Sequence, residues 1–439
     1  MTKPVTTAYL TEILQDARSR TLALLEGLDH TQLMGPRLAI VNPMLWEIGH
    51  VAWFYEYFIL RSLYDYSPLL ERGDDLYDSI KIAHDTRWDL PLLSLEHTLA
   101  YMAGVHEALL ARLDGNTASE QDSFIYQFAT FHEDMHDEAF LWTRQTLAYP
   151  KPDLTPAGQK HTADANAGSL PGDVEIPGGI FNLGSSPRAP FLFDNEKWAH
   201  PVRVAPFKIA RAPVTNADYA AFVYANGYQR RELWDEHGWR WRTSVNAEHP
   251  VYWKRDEAGN WYVRRFHEYT ALAPHQPVIH VNWHEANAYC RWAARRLPTE
   301  MEWEVAAAGQ VTSKGGELAP EKRRFPWGDT PPTPHHANLE GHALGCIDVA
   351  ELPAGDSAFG CRQMLGNVWE WTSDTFGPYP DFSPDAYKEY SEMLFGNTKV
   401  LRGGAWTTRS RMINAMYRNY FEPERRDVFA GFRTCALER

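Results

Sequence analysis

Residues 131–138 read Phe131-His132-Glu133-Asp134-Met135-His136-Asp137-Glu138. They continue an apolar pattern, Phe124-Phe128-Phe131 and onward to Leu141, whose three- and four-residue spacing predicts an α-helix. At 3.6 residues per turn His132 and His136 stand one above the other on a single face, so both imidazoles can reach one ion. By itself such a pair also fits a solvated helix face or two hydrogen-bonded core imidazoles.

Working upstream, the same spacing recurs in Tyr9-Leu10-Ile13-Leu14, from Pro43 through Leu60, and in Leu92-Leu95-Leu99-Met102. Four helices of bundle length follow for a glycine-poor segment spanning residues 5–148. Asn42-Pro43 ahead of Met44-Leu45-Trp46-Glu47 predicts a helix start with Asn42 as cap and proline at the first helical position. His50, in Trp46-Glu47-Ile48-Gly49-His50-Val51-Ala52-Trp53, falls on the apolar stripe of that second helix. Alone it reads as a satisfied core histidine. Beside the His132/His136 pair it becomes a third ligand, because bundle metal sites are assembled from facing helices. Three imidazoles leave coordination positions open and suit zinc, iron, nickel or copper; donor type does not choose among them. Glu133, Asp134, Asp137 and Glu138 are candidates either to orient the rings through their second nitrogens or to lie solvated on the helix.

Working downstream, residues 150–172 run PKPDLTPAGQKHTADANAGSLPG, a composition that predicts a linker. The expected organisation is a helical domain over 1–150, a linker over 151–173 and an irregular α+β domain over 174–439. In the last part short apolar runs are broken by Gly and Pro, with amphipathic stretches such as Trp283-His284-Glu285-Ala286-Asn287-Ala288-Tyr289.

A chain of 439 residues is long enough for two or three domains at about 150 residues each. Its 44% hydrophobic and 23% charged residues are those of a globular protein. The net charge of −14 and the lack of a basic stretch exclude a global nucleic-acid or anionic-membrane surface. No apolar run approaches a membrane span, and the N-terminus lacks a signal-peptide pattern, so the expected location is cytoplasmic, as a monomer or homodimer. Cys290, Cys346, Cys361 and Cys435 form no C-x-x-C pairing, which disfavours a disulfide framework and a thiolate metal site. The 17 Trp, 21 Tyr and 20 Phe, with 29 Gly and 29 Pro, suit a loop-rich fold pinned by large side chains.

Six motifs in order carry a family resemblance: Pro177-Gly178-Gly179-Ile180-Phe181-Asn182-Leu183-Gly184-Ser185, Arg296-Leu297-Pro298-Thr299-Glu300-Met301-Glu302-Trp303-Glu304, Pro326-Trp327-Gly328-Asp329, Gly366-Asn367-Val368-Trp369-Glu370-Trp371-Thr372, Leu401-Arg402-Gly403-Gly404-Ala405-Trp406 and Phe429-Ala430-Gly431-Phe432-Arg433. Together they resemble the formylglycine-generating-enzyme-like fold, a C-type-lectin-like α+β domain. Physically they are glycine turns and tryptophan pins, most of them structural. That domain preceded by a DinB-like four-helix bundle with His50 and the His132/His136 pair resembles the EgtB family of ergothioneine-type sulfoxide synthases.

The resemblance implies a mononuclear non-haem Fe(II) held by His50, His132 and His136, with O2 as co-substrate. It also implies attachment of a chalcogen to C2 of the imidazole of hercynine, the trimethylated histidine betaine. In Asp385-Ala386-Tyr387-Lys388-Glu389-Tyr390-Ser391 it makes Tyr387 the active-site tyrosine that supplies a proton or electron and Tyr390 a neighbour of hercynine. A phenol suits that role because its high pKa keeps it protonated at neutral pH. Without the resemblance both read as loop tyrosines. Asn419 and Tyr420 match the pair lining the hercynine pocket, where an aromatic face suits a quaternary ammonium. Met135 stands where the family has a glutamine.

Two departures concern the chalcogen donor. Phe421 replaces the aspartate that synthases using γ-glutamylcysteine employ for the peptide's amino group. The loop Ile82-Ala83-His84-Asp85-Thr86-Arg87-Trp88-Asp89-Leu90-Pro91-Leu92 retains only Arg87 where those synthases keep two arginines. A zwitterionic peptide would be left with unpaired buried charges, so a neutral donor fits better. The loop resembles the SenA branch, selenoneine synthases accepting the selenosugar 1-seleno-β-D-glucose. By residue type, Trp53, Trp88 and Phe421 are candidates for a wall against the pyranose, with Arg87, Asp85, His84 and Arg425 for its polar groups; core packing is the alternative. The rival readings are a sulfur-donor synthase and a non-catalytic ligand-binding protein. Copper-dependent formylglycine generation is disfavoured because Cys435 has no partner cysteine close in sequence.

Overall fold

The computed structural model describes residues 4–154, 167–187, 189, 191–312 and 315–437. Two compact units divide the chain, Met1–Leu154 with Arg188–Phe191 and Thr155–Pro187 with Leu192–Arg439. Of the expected linker, residues 155–166 lie outside the described residues, and its last residue, Asp173, opens a strand.

In the first unit α1 (Thr7–Leu25), α2 (His30–Met34) and α3 (Met44–Tyr55) are followed by a π-helical turn, Glu56–Arg61, and the short α4 (Ser62–Tyr64). Then come α5 (Gly73–Tyr77), a 3-10 turn at His84–Asp89, α6 (Leu95–Leu113) and α7 (Glu120–Thr146). The four long helical segments match the apolar spacing. α1 packs on α7, and α3 packs on α5, α6 and α7. Leu10, Leu14, Ile48, Val51, Val105 and Phe140 are among the side chains that close this core.

Caps set the helix starts. Ser119 and Asp122 form a capping box on α7, and Ser94 accepts from the His97 amide to start α6 three residues after Leu92. The expected cap on α3 is corrected. Pro43 itself is the cap residue, no side chain caps it, and Asn42 instead donates from Nδ2 to Glu47 at 3.0 Å. A carboxylate buried one turn inside the helix wins that amide because it has few other donors.

The second unit is built on two four-stranded sheets. One runs β1 (Asp173–Ile176), β4 (Phe207–Ala210), β13 (Cys435–Ala436), β8 (Arg295–Arg296). The other runs β11 (Asn419–Phe421), β10 (Lys399–Arg402), β9 (Trp369–Thr375), β12 (Ala430–Gly431). The pair β2 (Gly179–Leu183) and β3 (His200–Val204) and the ribbon β5 (Trp253–Arg255), β6 (Trp261–Arg265), β7 (Glu268–Ala271) complete the strands. Among the described residues the α-helices that accompany them are α8 (Asn216–Tyr224), α9 (Glu236–Ser244), α10 (Trp283–Trp292) and α11 (Glu300–Ala308).

The tryptophans act as pins. Trp303, Trp369, Trp371 and Trp406 are fully buried, Trp303 donating to Glu370 at 2.9 Å and Trp371 to the Val281 carbonyl at 2.9 Å. Buried charges are paired: Arg433 with Glu370, Arg402 with Glu300 and Glu304, Arg418 with Glu300. Removing one partner would leave its mate uncompensated. Gly366, at φ +78, passes so close to the Asn338 carbonyl that a Cβ would stand 2.5 Å from that oxygen. The structure is therefore the mixed α+β arrangement expected, a helical bundle and a sheet-containing domain.

Candidate metal centre

Within the first unit α3 carries His50 and α7 carries His132 and His136 to one point. One ring nitrogen from each lies within 4.8 Å of the other two, and Nε2 of His50 is 3.3 Å from Nε2 of His132. His50 and His132 are buried and His136 is half-buried.

Packing holds the rings. Trp46 stacks on His50 with centroids 4.9 Å apart and planes 7° apart, and Phe54 stacks on His132 at 3.8 Å and 13°. Trp46, His50 and Phe54 follow one another at four-residue intervals on α3, so one stripe of that helix supplies one imidazole of the cluster and two supporting surfaces. Nδ1 of His50 lies 2.8 Å from the Tyr77 carbonyl, which can only accept; Nδ1 therefore carries the hydrogen and Nε2 presents its lone pair. Gly49 makes that contact possible, because a Cβ there would stand 2.2 Å from Cε1 of Tyr77.

The ligand chemistry fits a divalent metal. Burial, then the neighbouring His136, push the His50 imidazole well below its ordinary pKa, and burial with His136 and His50 does the same to His132. Both rings are thus neutral, the form that coordinates. An unprotonated Nε2 aimed at a second Nε2 at 3.3 Å calls for a cation or a proton between them. Three nitrogen donors without thiolate match a site that keeps positions open for substrates.

The orienting carboxylate is not one of the four expected from α7. Glu133 accepts from Arg18 at 3.1 Å and from Thr21 at 2.8 Å, and Thr21 also lies 2.8 Å from Asp137, so these two face α1; Asp134 and Glu138 are buried as well. Glu47 of α3 does the work instead, its Oε1 lying 3.3 Å from Nδ1 of His136. The clue was present three residues before His50: a carboxylate inside an otherwise apolar helix start needs a buried partner.

The loop residues assigned to the donor make contacts inside the first unit. Arg87 is buried, its guanidinium 3.8 Å over the Trp46 ring and its Nη1 donating to Asn42 at 2.7 Å. Nε2 of His84 meets the Val41 carbonyl at 2.8 Å, and the Trp88 indole donates to the carbonyls of Met34 and Gly35. The Trp53 indole donates to Asp74 at 2.7 Å, and Met135 is half-buried beside His136.

The remaining candidates lie in the second unit. Tyr387 and Tyr390 are half-buried at a 3-10 turn, Lys388–Tyr390. Ser391 bonds Asp194 and Asn195, and Lys197 pairs with Asp385 at 2.7 Å, which ties both ends of that turn to residues 194–197. The Tyr420 hydroxyl donates to the Tyr390 carbonyl, and Phe193 stacks on Tyr390 at 4.9 Å. Burial raises both phenols well above their ordinary pKa, so they stay protonated. Oδ1 of Asn419 accepts from the Tyr420 amide, and Arg425 lies over Phe421 at 5.4 Å while its fork is held by Asp427. The four cysteines are free and buried; burial pushes their thiols upward, away from thiolate.

Comparison with known proteins follows the same division. Residues 13–140 match the DinB superfamily and residues 159–437 the sulfatase-modifying factor enzyme 1-like domain, so the chain is of the class that joins these two domains. It is 37% identical over 434 residues to a hercynine oxygenase of Mycolicibacterium thermoresistibile, covering 97% of this chain and 94% of that one. A hercynine oxygenase of Mycobacterium tuberculosis is 36% identical, over 95% of this chain and 96% of its own. The chain belongs to this family, the EgtB-like hercynine oxygenases. A formylglycine-generating enzyme of Streptomyces coelicolor is 32% identical over 61% of this chain and 90% of its own length.

Proposed function

We propose that the chain is an Fe(II)- and O2-dependent synthase that joins C2 of the hercynine imidazole to the selenium of a selenosugar, 1-seleno-β-D-glucose. The observation that carries the reading is the three-imidazole cluster, its His50 and His132 rings neutral and stacked, with one nitrogen of each ring brought to one point, in a chain that aligns end to end with hercynine oxygenases. Ferrous iron held by His50, His132 and His136 would supply activation of dioxygen. Tyr390, Asn419 and Tyr420 bind hercynine, the aromatic faces suiting its quaternary ammonium. Tyr387 holds the proton or electron delivered as the new bond forms. The Se–H and C2–H bonds break and C2–Se forms. The stoichiometry closes with one oxygen atom on selenium and the other leaving as water.

Two features support a donor without carboxylates. Arg87, the sole arginine of residues 82–92, gives its Nη1 to Asn42 and its plane to Trp46. Phe421 offers no charge to an amino group, and the guanidinium over it is held by Asp427. Trp53, Trp88 and His84 in the first unit and, separately, Phe421 and Arg425 in the second are individual candidates for contact with the sugar.

The test is a competition. Protein loaded anaerobically with Fe(II) receives hercynine, then air, with selenoglucose, thioglucose, cysteine and γ-glutamylcysteine together, and products are read by mass spectrometry for the selenium isotope pattern. A selenosugar adduct is expected. A cysteine or peptide adduct overturns the donor, and no adduct from any donor overturns the synthase. His136→Ala should lose iron and turnover together.

A further inference from the structure

We propose that Arg87 is a positioning residue for the metal ligands, acting on His136 through Asn42 and Glu47 and on His50 through Trp46. The inference rests on the metal site proposed above and assigns this loop arginine a task separate from donor recognition.

Two lines run from its guanidinium. Along the first, Nη1 donates to Asn42 Oδ1 at 2.7 Å, Asn42 Nδ2 donates to Glu47 Oε1 at 3.0 Å, and that oxygen lies 3.3 Å from Nδ1 of His136. Each contact fixes the next: the amide of Asn42 can serve Glu47 only while its oxygen faces a donor, and Arg87 is that donor. Along the second, the guanidinium lies over the Trp46 ring at 3.8 Å, and that indole stacks on the His50 imidazole, 4.9 Å away and nearly parallel. The Trp46 indole N–H is anchored on the Leu76 carbonyl at 2.7 Å, next to the Tyr77 carbonyl that fixes the His50 tautomer.

The charges agree with this arrangement. Glu47 is 2% exposed with one oxygen directed at His136 and Asn42, so a carboxylate there needs compensation inside the protein. The guanidinium, two hydrogen bonds away, provides it without touching the carboxylate. A direct pair would draw Glu47 off the imidazole. The planar fork is what lets one side chain bond Asn42 in its plane and cover Trp46 with its face, which an ammonium would not do.

The experiment titrates the apo protein anaerobically with Co(II) and follows affinity and the visible ligand-field bands. Arg87→Met, Asn42→Leu, Glu47→Gln and the pairwise combinations with Glu47→Gln are compared, with thermal melting of each apo form. Outer-shell changes typically cost 10- to 100-fold in metal affinity, so a loss of about tenfold with altered bands is expected for Arg87→Met and for Asn42→Leu. Acting through Glu47, Asn42→Leu should add little to Glu47→Gln, whereas Arg87→Met should retain the part transmitted through Trp46. Wild-type affinity and bands in both single variants overturn the proposal, as does a full tenfold further loss when Asn42→Leu is added to Glu47→Gln. Should Arg87→Met not fold, Asn42→Leu alone decides by the same criteria. Failure of the wild type to bind Co(II) would instead overturn the metal site itself.

Discussion

The Phe54 ring lies flat against the His132 imidazole, with centroids 3.8 Å apart, one turn beyond His50 on the same helix. α3 thus brings one imidazole of the cluster and the surface that orients another. Phe54→Leu keeps the site apolar and removes the plane. The expected stability loss is about 1 kcal/mol, the worth of one aromatic pair. Metal affinity should fall by more than that loss implies, because His132 then explores orientations away from the cluster. Apo melting beside a Co(II) titration reads both; unchanged affinity would contradict the role given to Phe54.

Gly49 and Tyr77 make a second prediction. A methyl group at residue 49 would overlap the Tyr77 ring, so Gly49→Ala must push α5 from α3 and lift the Tyr77 carbonyl from His50. Overpacking of this kind costs about 1–3 kcal/mol. Chemical denaturation followed by tryptophan fluorescence should show that loss, with weakened metal binding alongside it. An unchanged midpoint would mean the two helices are not in this contact.

Glu196 predicts a pH dependence of the second unit. Burial raises its carboxyl to about 7 from an ordinary 4.5, while Ser185 donates a hydrogen bond at 3.0 Å. The folded state therefore holds a proton that the unfolded chain releases. This contribution is fully present below about 4.5 and is lost as pH rises through about 7. The shift corresponds to about 3 kcal/mol. Glu196→Gln should melt higher than wild type at pH 8.5 and show little gain at pH 5; a gain of equal size at both would contradict the assignment.

Tyr420→Phe removes the hydroxyl that holds the Tyr390 carbonyl. The loss is about 0.5–1.5 kcal/mol, confined to one turn. Amide exchange in residues 387–391 should accelerate while that of β9 and β10 stays as in wild type. Equal protection across the turn would show that Ser391 and Lys197 suffice to hold it.

Much of the fold was legible because its determinants are local. Apolar residues every third and fourth position can bury a stripe only as helices, and the four long helical segments fall where that spacing lies. The tryptophans of the Gly-Trp motifs are pins because an indole of that size, once buried, must place its N–H, as Trp303 and Trp371 do. The start of α3 departs from the local pattern because Asn42 has a cap residue's chemistry but also a stronger partner, Glu47, one turn on. The orienting carboxylate stands on α3, since Glu133 and Asp137 of α7 are committed to Thr21 of α1 while Glu47 reaches His136.

The amino-acid sequence by itself determined the two-part α+β organisation, the His132/His136 pair on one helix face and the lack of a C-x-x-C pairing, since each follows from spacing along one chain segment. Tertiary structure decided that Glu47 serves His136 across 89 residues, that the Tyr77 carbonyl sets the His50 tautomer, and that Arg87 turns inward onto Trp46. Those partners are chosen by how helices cross and how closely Gly49 lets them approach, and a crossing depends on the whole core rather than on any one segment of the chain.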